Sequence, residues 1–167
     1  MTAGYSGTSL AKKLGIKEGH SVLVVAPPDQ LADLLEPLPA GVGIEAVGIS
    51  RPRVDGAGVE MDWQGDSLPD DRFDVVLLFS PGSEDLHENF GAAVSRLRWN
   101  GGLWVCWPKK SSEHFVDLAE SEVRRTGLSA GLVDNKICAV DDDWSGLRFV
   151  VRIADRPREI EVGGPEL

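Results

Sequence analysis

Four polar residues, Lys109-Lys110-Ser111-Ser112, follow the apolar run Leu103 to Trp107 after a single proline. Two adjacent ammonium groups and two hydroxyls at a strand end could hold an anion such as a phosphate or a carboxylate. A helix starting at Ser112 would add its free N–H groups and its dipole to that attraction. The competing reading is a solvated strand end in which Ser112 only caps its helix. A second polar group, Asp141-Asp142-Asp143, offers the hard oxygen donors that suit a cation such as Ca²⁺. Three consecutive carboxylates cannot all face one ion, however, and a polar turn accounts for them. Cys106 and Cys138 lie in apolar, strand-like runs and form no metal-type cluster with His20, His87 or His114. They are expected as reduced, buried thiols. No Ser/His/Asp or Cys/His set has supporting context, so neither a catalytic residue nor a metal ligand is assigned.

The elements that must position these groups follow from periodicity and punctuation. Thr8 or Ser9 can cap a short helix through Leu14, with Gly15 as its stop. Ser21 to Ala26 and Asp74 to Phe79 are continuous apolar runs, the pattern of strands buried on both faces. Ile44 to Ile49 is a further strand, and Val59 to Trp63 a short one. Asp29 is placed to cap a helix carrying Leu31, Leu34 and Leu35, which Pro37 and Pro39 stop. Leu86, Phe90, Val94 and Leu97 form one helical stripe, and Asn100-Gly101-Gly102 is a turn. Leu103 to Trp107 is a strand whose Trp104 and Trp107 face opposite ways. Ser112 then caps a helix burying Phe115, Leu118, Ala119 and Val123, and Gly127 ends it. Leu132 to Val140 and Leu147 to Ala154 form an antiparallel hairpin about the turn DDDWSG, in which Trp144-Ser145-Gly146 is structural.

This order predicts an α/β fold: a Rossmann-like, mostly parallel sheet flanked by helices, closed by a C-terminal antiparallel hairpin. Residues 1–154 are expected as one domain. The tail from Asp155 has few anchors and is expected to be mobile. In open sheets of this kind ligands bind beyond the carboxyl ends of the strands. That rim carries Pro27-Pro28, Ser80-Pro81-Gly82 and Trp107-Pro108-Lys109-Lys110. The candidate ligand contacts are therefore Lys109, Lys110, Ser111, Ser112 and Ser80. Tyr5-Ser6-Gly7-Thr8 would be a lid over the rim or an ordinary N-terminal cap.

The bulk properties narrow the partners. The 167 residues carry a net charge of −10 and a pI near 4.7, which argues against a general nucleic-acid binder and against an anionic membrane surface, since phosphate neutralisation needs a basic face. No apolar run approaches the ~20 residues needed to span a bilayer, and the first residues lack a signal core. A soluble, cytoplasmic protein is expected, with a small anion or a protein as its partner.

Between residues 64 and 107 the chain resembles class I methyltransferases: Gly65-Asp66, Leu68-Pro69, Phe73-Asp74 and Gly101-Gly102 stand in that family's order. The resemblance implies a methyltransferase-like Rossmann architecture over residues 15–154, an adenine contact at Asp66, and S-adenosylmethionine as the cofactor. Two of the family's cofactor contacts are replaced. Ala26-Pro27-Pro28-Asp29 stands in place of the Gly-rich turn after the first strand, and Gly48-Ile49-Ser50-Arg51 in place of the ribose-binding acid. A non-catalytic module without a cofactor is therefore expected, with a divergent S-adenosylmethionine-dependent methyltransferase as the alternative. A second resemblance spans residues 4–152. GYSGTSLAKKLGIK, WPKK and AVDDDWSGLRFVVR are similar to an uncharacterised bacterial domain-of-unknown-function family with actinobacterial members. It implies that the strand-end lysines and the Trp-Ser-Gly segment belong to the family pattern, and it implies no activity.

Overall fold

The computed structural model describes residues 9–47, 72–152 and 154. The segment 1–8, the strand expected at Val59 to Trp63, Asp66 and the tail from Asp155 lie outside the described residues. Ten elements follow in order: α1 (Leu10–Lys13), β1 (Ser21–Val25), α2 (Leu31–Leu35), β2 (Gly43–Val47), β3 (Phe73–Phe79), α3 (Ser83–Ser95), β4 (Leu97–Pro108), α4 (Glu120–Ser129), β5 (Leu132–Ala139) and β6 (Trp144–Val151). The described strands form one sheet in the order β2-β1-β3-β4-β6-β5. Pairing is parallel from β2 through β4 and antiparallel at β4–β6 and β6–β5. This is the expected mostly parallel sheet with its closing hairpin.

Helices cover both faces, which is why β1 and β3 are apolar at successive positions. Val22 and Val24 of β1, Leu77 and Phe79 of β3, and Trp104 of β4 pack with Ala11, Leu14, Leu31 and Leu35 from α1 and α2. Leu23, Val25, Val76, Leu78, Val105 and Trp107 pack with Leu86, Phe90 and Val123 from α3 and α4. Trp104 and Trp107 thus face opposite layers, as their odd spacing requires. Ser9 caps α1 by accepting the Lys12 N–H at 3.2 Å, and Gly15 follows at φ +83°. No helix among the described residues is long and apolar enough to cross a membrane.

Five local expectations are corrected. Asn100-Gly101-Gly102 is not a turn but lies inside β4. The register steps from Phe73↔Leu97 to Val75↔Gly102, so β4 bulges opposite β3. Gly101 is required there, because a Cβ would stand 2.5 Å from the Asp74 carbonyl oxygen. Asp29 does not cap α2; Gln30 occupies that position without a side-chain cap. Ser112 starts no helix. Its hydroxyl accepts the His114 N–H at 2.9 Å in a local turn, and α4 begins only at Glu120. Gly127 does not end that helix; it is buried inside it. The hairpin turn is also tighter than DDDWSG, since Trp144, Ser145 and Gly146 already belong to β6. Trp144 packs edge-on against Phe79 of β3, with centroids 5.2 Å apart.

Candidate functional site at the carboxyl rim

β1 lies between β2 and β3, so the strand order reverses between β1 and β3. The residues leaving these strands and β4 form the rim: Ala26-Pro27-Pro28, Ser80-Pro81-Gly82 and Lys109-Lys110. Ala26 has φ +54°, a region that favours glycine. Strain of this kind is retained where the surroundings over-determine the backbone. Here the Ala26 N–H donates to the Val47 carbonyl at 2.7 Å. Pro27 and Pro28 have no N–H to offer. The turn after β1 therefore presents no free backbone donor from residues 26 to 28. A cofactor whose amino-acid moiety is held by amides at this turn does not fit it.

Lys109 and Lys110 do meet a helix N-terminus, although not one at Ser112. Together with Trp107, Ala119, Glu120, Ser121 and Ser145 they line a cavity of about 370 Å³ against the first turn of α4. The Glu120 carboxylate at its edge is held by Arg124 at 2.9 Å. Lys109 also lines a larger cavity of about 640 Å³, which includes Lys13, Glu36 and Asp141 to Asp143. Its backbone N–H donates to the Asp143 carbonyl at 2.8 Å, tying the end of β4 to the hairpin turn. Ser111 is exposed and Ser112 is buried, and neither lines the lysine cavity. Ser80, one strand away, is 0% exposed; its N–H donates to the Cys106 carbonyl, and among the described residues its hydroxyl has no hydrogen-bond partner.

The aspartate triplet is a turn. Asp141 Oδ1 accepts the backbone N–H groups of Asp143 and Trp144, both at 2.8 Å, and Oδ2 accepts Gln30 Nε2 at 3.0 Å. Among the described residues no three His, Cys, Asp or Glu side chains converge to hold a metal ion. Both cysteines are free. Each is paired with Gly146 from opposite sides, so their Cα atoms lie two strand spacings apart, roughly 10 Å. A disulfide reaches about 7 Å at most. Burial pushes the Cys106 thiol well above its usual pKa, with Cys138 and Asp141 adding to the effect, and burial also raises Cys138. Thiols held neutral in this way are poor nucleophiles.

One constellation carries no local sequence signal. Glu122 of α4 accepts Ser83 Oγ at 2.5 Å, and the same Oε2 lies 2.9 Å from His87 Nε2. The Ser83 N–H donates to Asp117 Oδ1 at 2.8 Å. Ser83 and His87 share a face of α3 at i, i+4 spacing, but their acidic partners lie more than 30 residues on. Serine, histidine and carboxylate are all present, yet the carboxylate sits between the other two. A hydrolytic triad needs the imidazole in that place, to take the hydroxyl proton. The node is a clasp between α3 and α4.

The Ser83 hydrogen bond, then the one to His87, holds the Glu122 carboxyl below the ordinary carboxylate range. A depressed folded-state pKa stabilises the fold above the unfolded-state value, about 4.3. That contribution is lost as pH falls through the lower folded-state value. Glu122→Gln should therefore be less stable than the natural chain at pH 6, and the difference should shrink below about pH 4. Urea denaturation across pH 3 to 7 measures this. A difference that stays constant to pH 3 would remove the carboxylate from the clasp.

Solved structures share the fold. An S-adenosylmethionine-dependent methyltransferase from Aquifex aeolicus aligns with a TM-score of 0.57 at 18% identity, over 86% of this chain and 88% of its own. A TehB-like enzyme of the same class from Corynebacterium glutamicum gives 0.55 at 13%, over 89% and 90%. The glycopeptide N-methyltransferase MtfA, solved with sinefungin, gives 0.56 at 14%, over 85% and 90%. At these identities the likeness establishes a methyltransferase-like Rossmann architecture and nothing further. No curated protein matches the chain. The model of one family, described as a protein of unknown function (DUF3052), matches residues 49–153, which span β3 through β6, and the chain belongs to that family.

Proposed function

We propose that the chain is a non-catalytic Rossmann-like module that binds a small anionic ligand at the rim. The supporting observation is the cavity that places Lys109 and Lys110 against the first turn of α4, with Ser121 and Ser145 beside them. Two ammonium groups supply the charge, and the helix end and the hydroxyls supply directional donors. Glu120 opposes an anion less than its position suggests, because Arg124 pairs with it.

Phosphate is the probe. A ligand that binds only the native state at ten times its Kd stabilises by about 1.4 kcal/mol. For a domain of this size that raises Tm by roughly 3–5 °C. The shift should shrink with added salt, since exposed charges are screened over about 8–10 Å. Replacing both lysines, Lys109→Met with Lys110→Met, keeps apolar stems and removes the charges. The double variant should lose the phosphate shift while its baseline stability stays within about 1 kcal/mol. If it responds as the natural chain does, the lysines are a solvated strand end.

The second reading is a divergent S-adenosylmethionine-dependent methyltransferase. It is favoured by fold neighbours named as such enzymes, among them MtfA solved with S-adenosylmethionine. The donor-free turn after β1 weighs against it. Calorimetry with S-adenosylmethionine and S-adenosylhomocysteine decides between the two readings. Binding tighter than about 100 μM, roughly −5.5 kcal/mol, would replace the first reading with the second.

A further inference from the structure

The Ser80 hydroxyl is fully buried and, among the described residues, has no hydrogen-bond partner. Native interiors rarely leave such a group unpaired. Leu78 faces the α3–α4 layer and Phe79 the opposite layer. Alternation therefore turns Ser80 towards α3 and α4. Just beyond the strand end, Val116 and Asp117, the last residues of the segment 110–117, lie on Gly82. A Cβ at Gly82 would stand 3.2 Å from Asp117 Oδ1 and 3.7 Å from Val116 Cβ.

This segment is fixed at its ends, and six of its eight residues are exposed, with Ser112 buried and Phe115 half-buried. Lys109 is tied to the hairpin turn, and Leu118 is buried in the core. Within it the Ser112 and Phe115 N–H groups bond to the carbonyls of Lys109 and Ser112, so it holds its own shape. Val116 is 64% exposed. The tie near the centre of the rim is Asp117 on the Ser83 N–H. A largely exposed piece with internal hydrogen bonds, two fixed ends and this polar tie can lift without opening the sheet.

We propose that residues 110–117 are a lid over the carboxyl end of β3, latched by Asp117 on Ser83. Lifting it uncovers the Ser80 hydroxyl as a contact for a polar small-molecule ligand. The inference rests on the reading that a ligand binds at this rim. Lys110 rides on the lid, so the same movement reshapes the lysine cavity.

A thiol in place of the hydroxyl reports the opening. Ser80→Cys is combined with Cys138→Ser, which removes the partly exposed native thiol, and iodoacetamide labelling is timed on the full chain. Adding Asp117→Ala should speed labelling of the introduced thiol about tenfold or more, as expected for loss of one charge-assisted hydrogen bond. Asp117→Asn keeps an acceptor oxygen and should restore most of the protection. Cys106 is the internal control, because it is buried on the opposite face and should stay unlabelled. Equal rates with and without Asp117→Ala would overturn the latch. Cys106 labelling in step with the introduced thiol would show global unfolding and overturn the lid. Should Ser80→Cys fail to fold, hydrogen exchange on the Asp117→Ala chain alone decides: amides 111–116 should speed up about tenfold, with β3 and β4 unchanged. Unchanged exchange overturns the proposal. A natural chain that ignores phosphate would sink the anion-binding reading separately, with labelling still deciding the lid.

Discussion

Trp104→Ala should lower the unfolding free energy by about 3–5 kcal/mol, the range for deleting a buried large aromatic. Against a typical total of about 5–15 kcal/mol, that is enough to threaten the fold. Trp104 is 0% exposed at the centre of β4 and packs in the layer shared with α1 and α2. Its Nε1–H donates to the Leu14 carbonyl at 2.9 Å, so one side chain joins the sheet to the end of α1. Gly146 on β6 leaves room for the indole; a Cβ there would stand 3.1 Å from Trp104 Cε3. Trp104→Phe separates the two contributions. It keeps most of the buried ring and strands the Leu14 carbonyl, which should cost about 1–3 kcal/mol. Urea titration gives both values, with an unchanged m-value confirming that the native state is the one affected. If Trp104→Ala and Trp104→Phe cost the same, the hydrogen bond to Leu14 dominates, and ring packing has been overrated.

The parts of the fold that could be read from sequence were those fixed by strand and helix periodicity. Continuous apolar runs gave β1 and β3 as strands buried on both faces, and odd spacing put Trp104 and Trp107 on opposite layers. Short-range chemistry also carried through at Ser9 and Gly15. Several of the failures share one cause: a residue had a plausible local role that a distant partner overrode. Phe115, Leu118 and Ala119 have helical spacing, yet Asp117 is held by Ser83 on another element and the chain there stays irregular. Asn100-Gly101-Gly102 has turn composition, yet β3 continues alongside it, and the glycine serves the close approach of Asp74. At the rim, Lys109 and Lys110 were legible as a local cation pair. Their meeting with Ser121 and Ser145 depends on where α4 and β6 dock, which local pattern does not record. The Ser83–His87–Glu122 clasp was invisible for the same reason.

Gly127 sets helix propensity against packing. In the interior of a helix, Gly→Ala alone should stabilise by roughly 1 kcal/mol. At this position the sign should reverse. A methyl on Gly127 would fall onto Cε1, Cζ and Cδ1 of Phe149, closer than any real contact. The ring has nowhere to go. Phe149 is 0% exposed in the core between the sheet and α3–α4, edge-on to Phe90 with centroids 6.5 Å apart. Overpacking a filled core costs about 1–3 kcal/mol and occasionally more. Gly127→Ala should therefore destabilise by about 2 kcal/mol net, through displacement of α4 from β6 or a forced ring rotamer. A double-mutant cycle isolates the clash. Phe149→Ala alone should cost about 3–5 kcal/mol by leaving a cavity. With Gly127→Ala added, the new methyl enters that space and regains its helix propensity. The pair should then cost less than the sum of the singles by at least about 1 kcal/mol. Strict additivity would mean that the two positions do not touch in solution, and the close packing of α4 on β6 would have to be given up.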